Sequence, residues 1–384
     1  MILWRQPNGM APLTALMSKM KKETTDDPEF SWYEEELAPI RITVNYSTNY
    51  TAGATTLVVD GGDALDLVAG DLLLVEGAEG TTYPDEIITV SSVTNSTTIV
   101  VTRGSAGSTA AAINDNVYLT KIGNAYAEGT TSPTATTRNP TKLTNYCQIF
   151  KTAYELTNTA KETNLRTGDA KQNDKKRRMF DHSVALEMAF LFGKAKGDAT
   201  GANGKPLRYT GGLLNFLVTG ATGRVDAATA MVGSTGINTL LDTIYPIFDY
   251  NTASGAGDER IVFAGNGALN AINKACKAAG DVNFGEVVKV YGMNLTKLVT
   301  PQGTLYFKSH PLMNVNTRFT NSMFIIDPTA IKYRPLRNRD TKFMDNIQAN
   351  DADTNKGMWL TEAGVEFNHM KTMMYLGAVS WSAT

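Results

Sequence analysis

A stretch of strict apolar–polar alternation, residues 40–46, and a matching strand pattern a hundred residues later, residues 146–156, flank a block of sequence that has strand patterns and turns of its own. In the first stretch Ile40, Ile42, Val44 and Tyr46 share one face, and Arg41, Thr43 and Asn45 the other. In the second, Gln148, Phe150, Thr152, Tyr154 and Leu156 alternate with Cys147, Ile149, Lys151, Ala153 and Glu155. Successive side chains point to opposite sides of a strand, so each run reads as a strand. The two are expected to pair as one long hairpin. Between them lie strand patterns at residues 55–59, 71–75, 86–93, 97–102 and 116–120, separated by turn signals at Gly61 and Gly62, residues 77–80, Asn95 and Ser96, and residues 104–107. Short strands with such punctuation predict a small barrel or sandwich. Its ends must lie close together if it is inserted in a hairpin.

Charge separates the same regions. Residues 46–125 hold nine acidic residues and two basic ones, Arg103 and Lys121, whereas residues 127–212 hold fourteen Lys or Arg and eight Asp or Glu. The whole chain is nearly balanced, 36 against 38 over 384 residues, which argues against coating nucleic acid by bulk charge. The basic stretch carries the strongest helix pattern: Asp169 as cap, Phe180, Val184, Met188 and Leu191 as apolar stripe, and Gly193 as stop. On that helix lie Lys175, Lys176, Arg177 and Arg178, either a solvated face or one turned toward nucleic acid or an acidic neighbour.

The first thirty residues look like an arm. Pro12 can open a short helix with Leu13, Leu16, Met17 and Met20 at helical spacing. So short a helix is marginal in water and must dock, on its own domain or on a neighbouring subunit. From about residue 213 the pattern is mixed. Ile237, Leu240, Leu241, Ile244 and Phe248 form a helical stripe, residues 261–263 a buried strand, and Leu269, Ile272 and Cys276 another helix face. Strand patterns then dominate, at residues 287–291, 304–308, 323–326, 331–334 and 373–379.

Catalytic signatures are absent. His182, His310 and His369 sit in no zinc-ligand spacing. The Gly-Lys step at residues 204–205 is followed by Pro206 where a phosphate loop needs Ser or Thr, and the Gly-x-Gly at residues 265–267 lacks its third glycine. Asp351, Asp353, Asn355 and Glu362 fall at positions 1, 3, 5 and 12 of a calcium loop, but Lys356 occupies the position that needs Gly. A plain acidic loop is the better reading. Two distant cysteines, no signal peptide and no long apolar run predict a soluble cytoplasmic protein without disulfides or membrane contact. No enzyme, cofactor or metal is expected.

An arm, a long hairpin, a long polar helix and a mixed domain resemble, in that order, the tailed-phage major capsid proteins of the Hong Kong 97-type fold. Residues 30–37 (FSWYEEEL) are similar to the segment entering that family's extended loop, the E-loop, and residues 145–150 (NYCQIF) to its return strand. Residues 174–193, ending in AFLFG, resemble its spine helix, and residues 211–215 (GGLLN) the step after it. Residues 46–125, with VTRGSAGST at 101–109, are similar to the β-domain that one subgroup inserts in the E-loop.

The resemblance implies an α+β fold: an N-terminal arm at 1–30, an E-loop hairpin at 31–46 and 126–156, and an inserted all-β domain at 47–125. It implies a P-domain at 157–212 and 301–384, with the spine helix near 169–192, and an A-domain at 213–300. It further implies a virion protein, assembled in host cytoplasm as hexamers and pentamers of an icosahedral head around double-stranded DNA, with a portal and possible scaffold or decoration proteins as partners. On that reading Lys175, Lys176, Arg177 and Arg178 face the DNA without sequence preference, and the acidic insertion faces outward. Leu13, Leu16, Met17, Met20, Trp32, Ile42, Val44 and Phe150 are then candidates for contacts between subunits. Two alternatives are an encapsulin-like cage on the same fold and a glycan-binding virion or adhesin protein.

Overall fold

The computed structural model describes residues 11–17, 22–35, 40–61, 63–77, 86–137, 139–163, 168–220, 223–250, 258–280, 284–290 and 293–383. They form two compact units: residues 35–141, and a second made of residues 1–34 with 142–384.

In the first unit the apolar alternation builds one closed sheet. Its strand order is Arg41–Thr43, Tyr118–Asn124, Asp71–Val75, Glu86–Val93, Thr98–Ser105, Thr56–Val58. The two outer strands meet through a bridge between Val44 and Val59, with the Asn45 amide donating to the Val58 carbonyl and the Asp60 amide to the Thr43 carbonyl, each at 2.9 Å. The sheet is therefore a small barrel, and closure removes the open edges that would pair with other chains. Alternate residues fill it, among them Ile42, Val44, Leu57, Leu73, Ile88, Val90, Ile99, Val101 and Leu119. Both basic residues counted in this acidic block serve buried acids: Arg103 grips Glu86, and Lys121 reaches Asp71 at 2.7 Å.

The hairpin expected between residues 40–46 and 146–156 does not form. Arg41–Thr43 pairs with Tyr118–Asn124 and becomes the sixth strand of the barrel. Gln148–Thr157 pairs instead, antiparallel, with Thr354–Phe367. Alternation specifies which face of a strand is buried but not its partner. A ten-residue strand is matched best by the fourteen-residue one that reaches it from the other end of the chain.

In the second unit, Thr354–Phe367 is the spine of a four-stranded sheet, flanked by Gln148–Thr157, Ile331–Pro335 and Lys342–Met344. A seven-stranded mixed sheet runs through Glu259–Ala264, Thr304–Ser309 and Met323–Ile326. Ile261, Phe263, Phe324 and Ile326 enter one core; Val262, Ala264, Met323 and Ile325 enter the other, under the helices Gly236–Ile244 and Asn266–Ala279. Burial on both faces explains why these strands read as unbroken apolar runs.

Candidate functional site

The helix Ala170–Phe192 is the organising element of the second unit. Asp169 caps it by accepting from the amides of Lys171 (2.9 Å) and Gln172 (3.3 Å). At its end the Gly193 amide donates to Ala189, and a Cβ on Gly193 would lie 2.5 Å from that same carbonyl oxygen, so only glycine fits. Its buried residues are His182, Leu186, Glu187, Phe190 and Leu191. The stripe expected from sequence is thus rotated: Leu191 is buried, Val184 and Met188 are half-buried, and Phe180 is 42% exposed. Two polar side chains, which a hydrophobicity pattern skips, occupy the buried face.

Both are fully partnered to the rest of the unit. His182 lies between the hydroxyls of Thr152 (3.2 Å) and Thr361 (2.7 Å), tying the helix to two strands of the four-stranded sheet. Burial lowers its pKa and favours the neutral ring. Glu187 accepts from the amides of Leu13 (2.8 Å) and Thr14 (2.7 Å), from the Thr14 hydroxyl (2.5 Å), and contacts His310 Nε2 at 2.8 Å. A buried carboxylate needs such donors, and here they come from the first turn of the helix Pro12–Met17.

The arm is therefore docked within its own chain. Farther along it, Lys22 pairs with Asp340, Glu23 with Lys332 and Arg334, and Asp26 with Arg337. Burial pushes the Glu23 carboxyl up, but the Arg334 and Lys332 charges outweigh it and hold the group below its ordinary range. Leu13, Leu16, Met17, Trp32 and Phe150 all enter one core of this unit, while Ile42 and Val44 fill the barrel. These seven candidates for subunit contacts are thus buried in this chain's own cores; apolar spacing marks a buried face without saying which chain buries it. Met20 lies outside the described residues.

The cationic run divides. Lys175 Nζ sits 3.7 Å from the centre of the Phe343 ring, and the Trp359 indole N–H donates to the Lys175 carbonyl at 3.2 Å. This cation is held against the sheet and is half-buried. Arg178 lies 3.1 Å from Asp181 and Arg177 4.0 Å from Asp174, both pairs exposed, and Lys176 is exposed. Exposed pairs of this kind bind weakly, so their cations can exchange partners. Beside them a groove of about 410 Å³ is lined by Gln172, Lys175, Lys176, Met179 and Trp359.

The calcium-loop spacing does not build a cation site. Asn355 and Glu362 lie on the single strand Thr354–Phe367, and seven residues of strand span about 23 Å. Glu362 pairs with Arg339, and Asp353 accepts from Asn158. Among the described residues, no group of three or more His, Cys, Asp or Glu side chains could hold a metal ion, and no helix is long and apolar enough to cross a membrane. Burial pushes the Cys147 thiol up to about 12, so it stays protonated and a poor nucleophile.

A curated relative, the major capsid protein of Pseudomonas phage PaMx41, is 26% identical over 344 residues, 89% of this chain and 78% of its own length. Among solved structures, the capsid of Myoviridae phage XM1 is similar with a TM-score of 0.46 and 8% identity, covering 98% of this chain and 94% of that one. An encapsulin complex from Synechococcus elongatus has a TM-score of 0.43 and 10% identity, covering 64% and 77% respectively. The model of the SU10 major capsid protein family matches residues 6–380. The match takes in both units, and the chain belongs to that family.

Proposed function

We propose that this phage major capsid protein assembles as hexamers and pentamers into the icosahedral head of a tailed phage, around double-stranded DNA. The family match over residues 6–380 carries the reading. On the Hong Kong 97-type plan, residues 1–30 are the arm and 31–46 with 126–156 the E-loop. Residues 47–125 are a β-domain inserted in that loop, residues 157–212 with 301–384 the P-domain, and residues 213–300 the A-domain. The self-contained barrel between strands of different partnership supports the insertion. The acidic barrel faces outward. Arg177 and Arg178, whose exposed carboxylate pairs are readily exchanged, meet DNA phosphates without sequence preference. A portal, and scaffold or decoration proteins, join the shell, which forms in the host cytoplasm and persists as the virion.

Expression of the chain alone, followed by light scattering and negative-stain microscopy, tests this. Closed shells, or rings of five and six subunits, are the expected product, if necessary only with the neighbouring genes co-expressed. A discrete dimer or trimer that those partners leave unchanged would overturn the proposal.

A further inference from the structure

We infer that the groove beside Met179 and Trp359 is the docking site of an acidic, amphipathic helix from a separate protein. The inference goes beyond the shell reading and does not depend on it. Gln172, Lys175, Lys176 and Met179 line the groove from the helix side. At 3.6 residues per turn these four positions fall on one side of Ala170–Phe192, and Leu186 and Phe190 continue the same side into the core. The C-terminal half of this side, Leu186 and Phe190, is therefore covered by its own chain. The N-terminal half is open, with Met179 50% exposed at its centre.

Length, shape and charge select the occupant. From residue 172 to residue 179 the helix rises about 10 Å, room for two turns of a second helix laid alongside. The wall is fixed in advance, because Trp359 bonds to the Lys175 carbonyl and its ring lies tilted, 5.0 Å from that of Phe343, which Lys175 also covers. Met179 supplies an unbranched, adaptable surface for an inserted apolar side chain. The rim is cationic, with Lys175 and Lys176 in the groove wall and Arg178 beside Lys175 on the helix surface. A basic rim around an apolar floor complements a helix with leucine-like anchors on one face and carboxylates beside them. Duplex DNA would answer the cations but leave the floor uncovered. Arg177, one of the two cations assigned above to phosphate contact, lies on the opposite side of the helix by the same geometry.

The test is fluorescence polarisation on the full-length chain. One probe is a synthetic helix of about two heptads, leucine on one face and glutamate on the rest. The other is a permutation of the same composition with the leucines scattered. The patterned peptide is expected to bind at least about ten-fold tighter than the permuted one. Met179→Glu should abolish that preference. Lys176→Glu should weaken both peptides by a similar factor, with an effect that fades at high salt. Both substituted positions are solvent-accessible, and unchanged circular-dichroism melts would show that the variants fold. Equal affinity for the two peptides would overturn the inference, as would a preference that survives Met179→Glu. Duplex DNA binding, or self-association of the chain, that disappears with Met179→Glu while the peptide preference is absent would reassign the groove to nucleic acid or to a second copy.

Discussion

The barrel and the helix-centred unit bury acidic side chains by opposite strategies. In the barrel, Glu86 meets Arg103 seventeen residues later, and the amides of Gly104 and Ala111 complete its shell. Burial pushes the Glu86 carboxyl up, yet the Arg103 contact and those amides hold it below its ordinary range. In the other unit, Glu187 draws donors from residues 174 and 173 positions away, and contacts His310, 123 positions away. The first network can form as soon as its own block folds. The second exists only when the start, middle and last third of the chain have come together, and long-range closure of that kind is slow to form. A short-range charge pair makes a portable module; a long-range one makes an assembly lock for the arm.

The sharpest way to break this contrast is Glu187→Ala. It strands the buried Leu13 amide, the part-buried Thr14 amide and His310 and removes the seat of the arm helix, so a loss of about 3–5 kcal/mol in the helix-centred unit is expected. Hydrogen exchange should rise first at residues 12–17 while the barrel amides stay protected. Faster exchange in the barrel as well would contradict the independence of the two networks. Arg103→Met is the counterpart. It leaves Glu86 buried with only its amide donors, a loss of about 3 kcal/mol read as a lower denaturant midpoint for barrel residues alone.

The same contrast separates what was legible in sequence from what was not. The strands Asp71–Val75, Glu86–Val93 and Met323–Ile326 coincide residue for residue with their apolar patterns, and the cap and stop of the long helix fall at Asp169 and Gly193. These are local properties: side-chain periodicity, an N-cap oxygen, a crowded C-terminal glycine. Partnership was illegible. Nothing in residues 146–156 names Thr354–Phe367 as the neighbour, and a strand offers the same backbone groups to any partner. Glu187 was illegible for another reason, because a glutamate in a helix reads as solvated until its donors arrive from elsewhere. The visible signal is a carboxylate between Leu186 and Met188 on a face that continues as Phe190 and Leu191. The cationic run was half legible: its charge is plain, but the stacking of Lys175 on Phe343 depends on a strand some 170 positions later.

Smaller effects sharpen the comparison further. Asp169→Ala removes two capping bonds from the long helix and should cost about 1 kcal/mol, with Asp169→Asn restoring most of it. A thermal melt of the three proteins side by side reads the difference.

Acidity gives the finest separation. His182 has a folded pKa below its ordinary value near 6.5, caused by burial. The unfolded chain therefore binds a proton that the folded chain refuses. Its contribution to stability is full above about pH 6.5 and is lost as pH falls below that value toward the folded pKa. The barrel sequence from 41 to 124 contains no histidine, and the Glu86 carboxyl titrates below 4.5. Between pH 7 and pH 5 the helix-centred unit should lose stability while the barrel stays flat, and only below pH 4.5 should both fall. His182→Asn, which can still bond both threonine hydroxyls, should shrink the slope of the helix-centred unit in the upper window and leave the lower one intact. An unchanged slope in that variant would place the proton uptake on another group. A barrel that follows the same upper-window slope would mean that the two units do not unfold independently, and that the contrast between local and long-range burial does not govern how the chain comes apart.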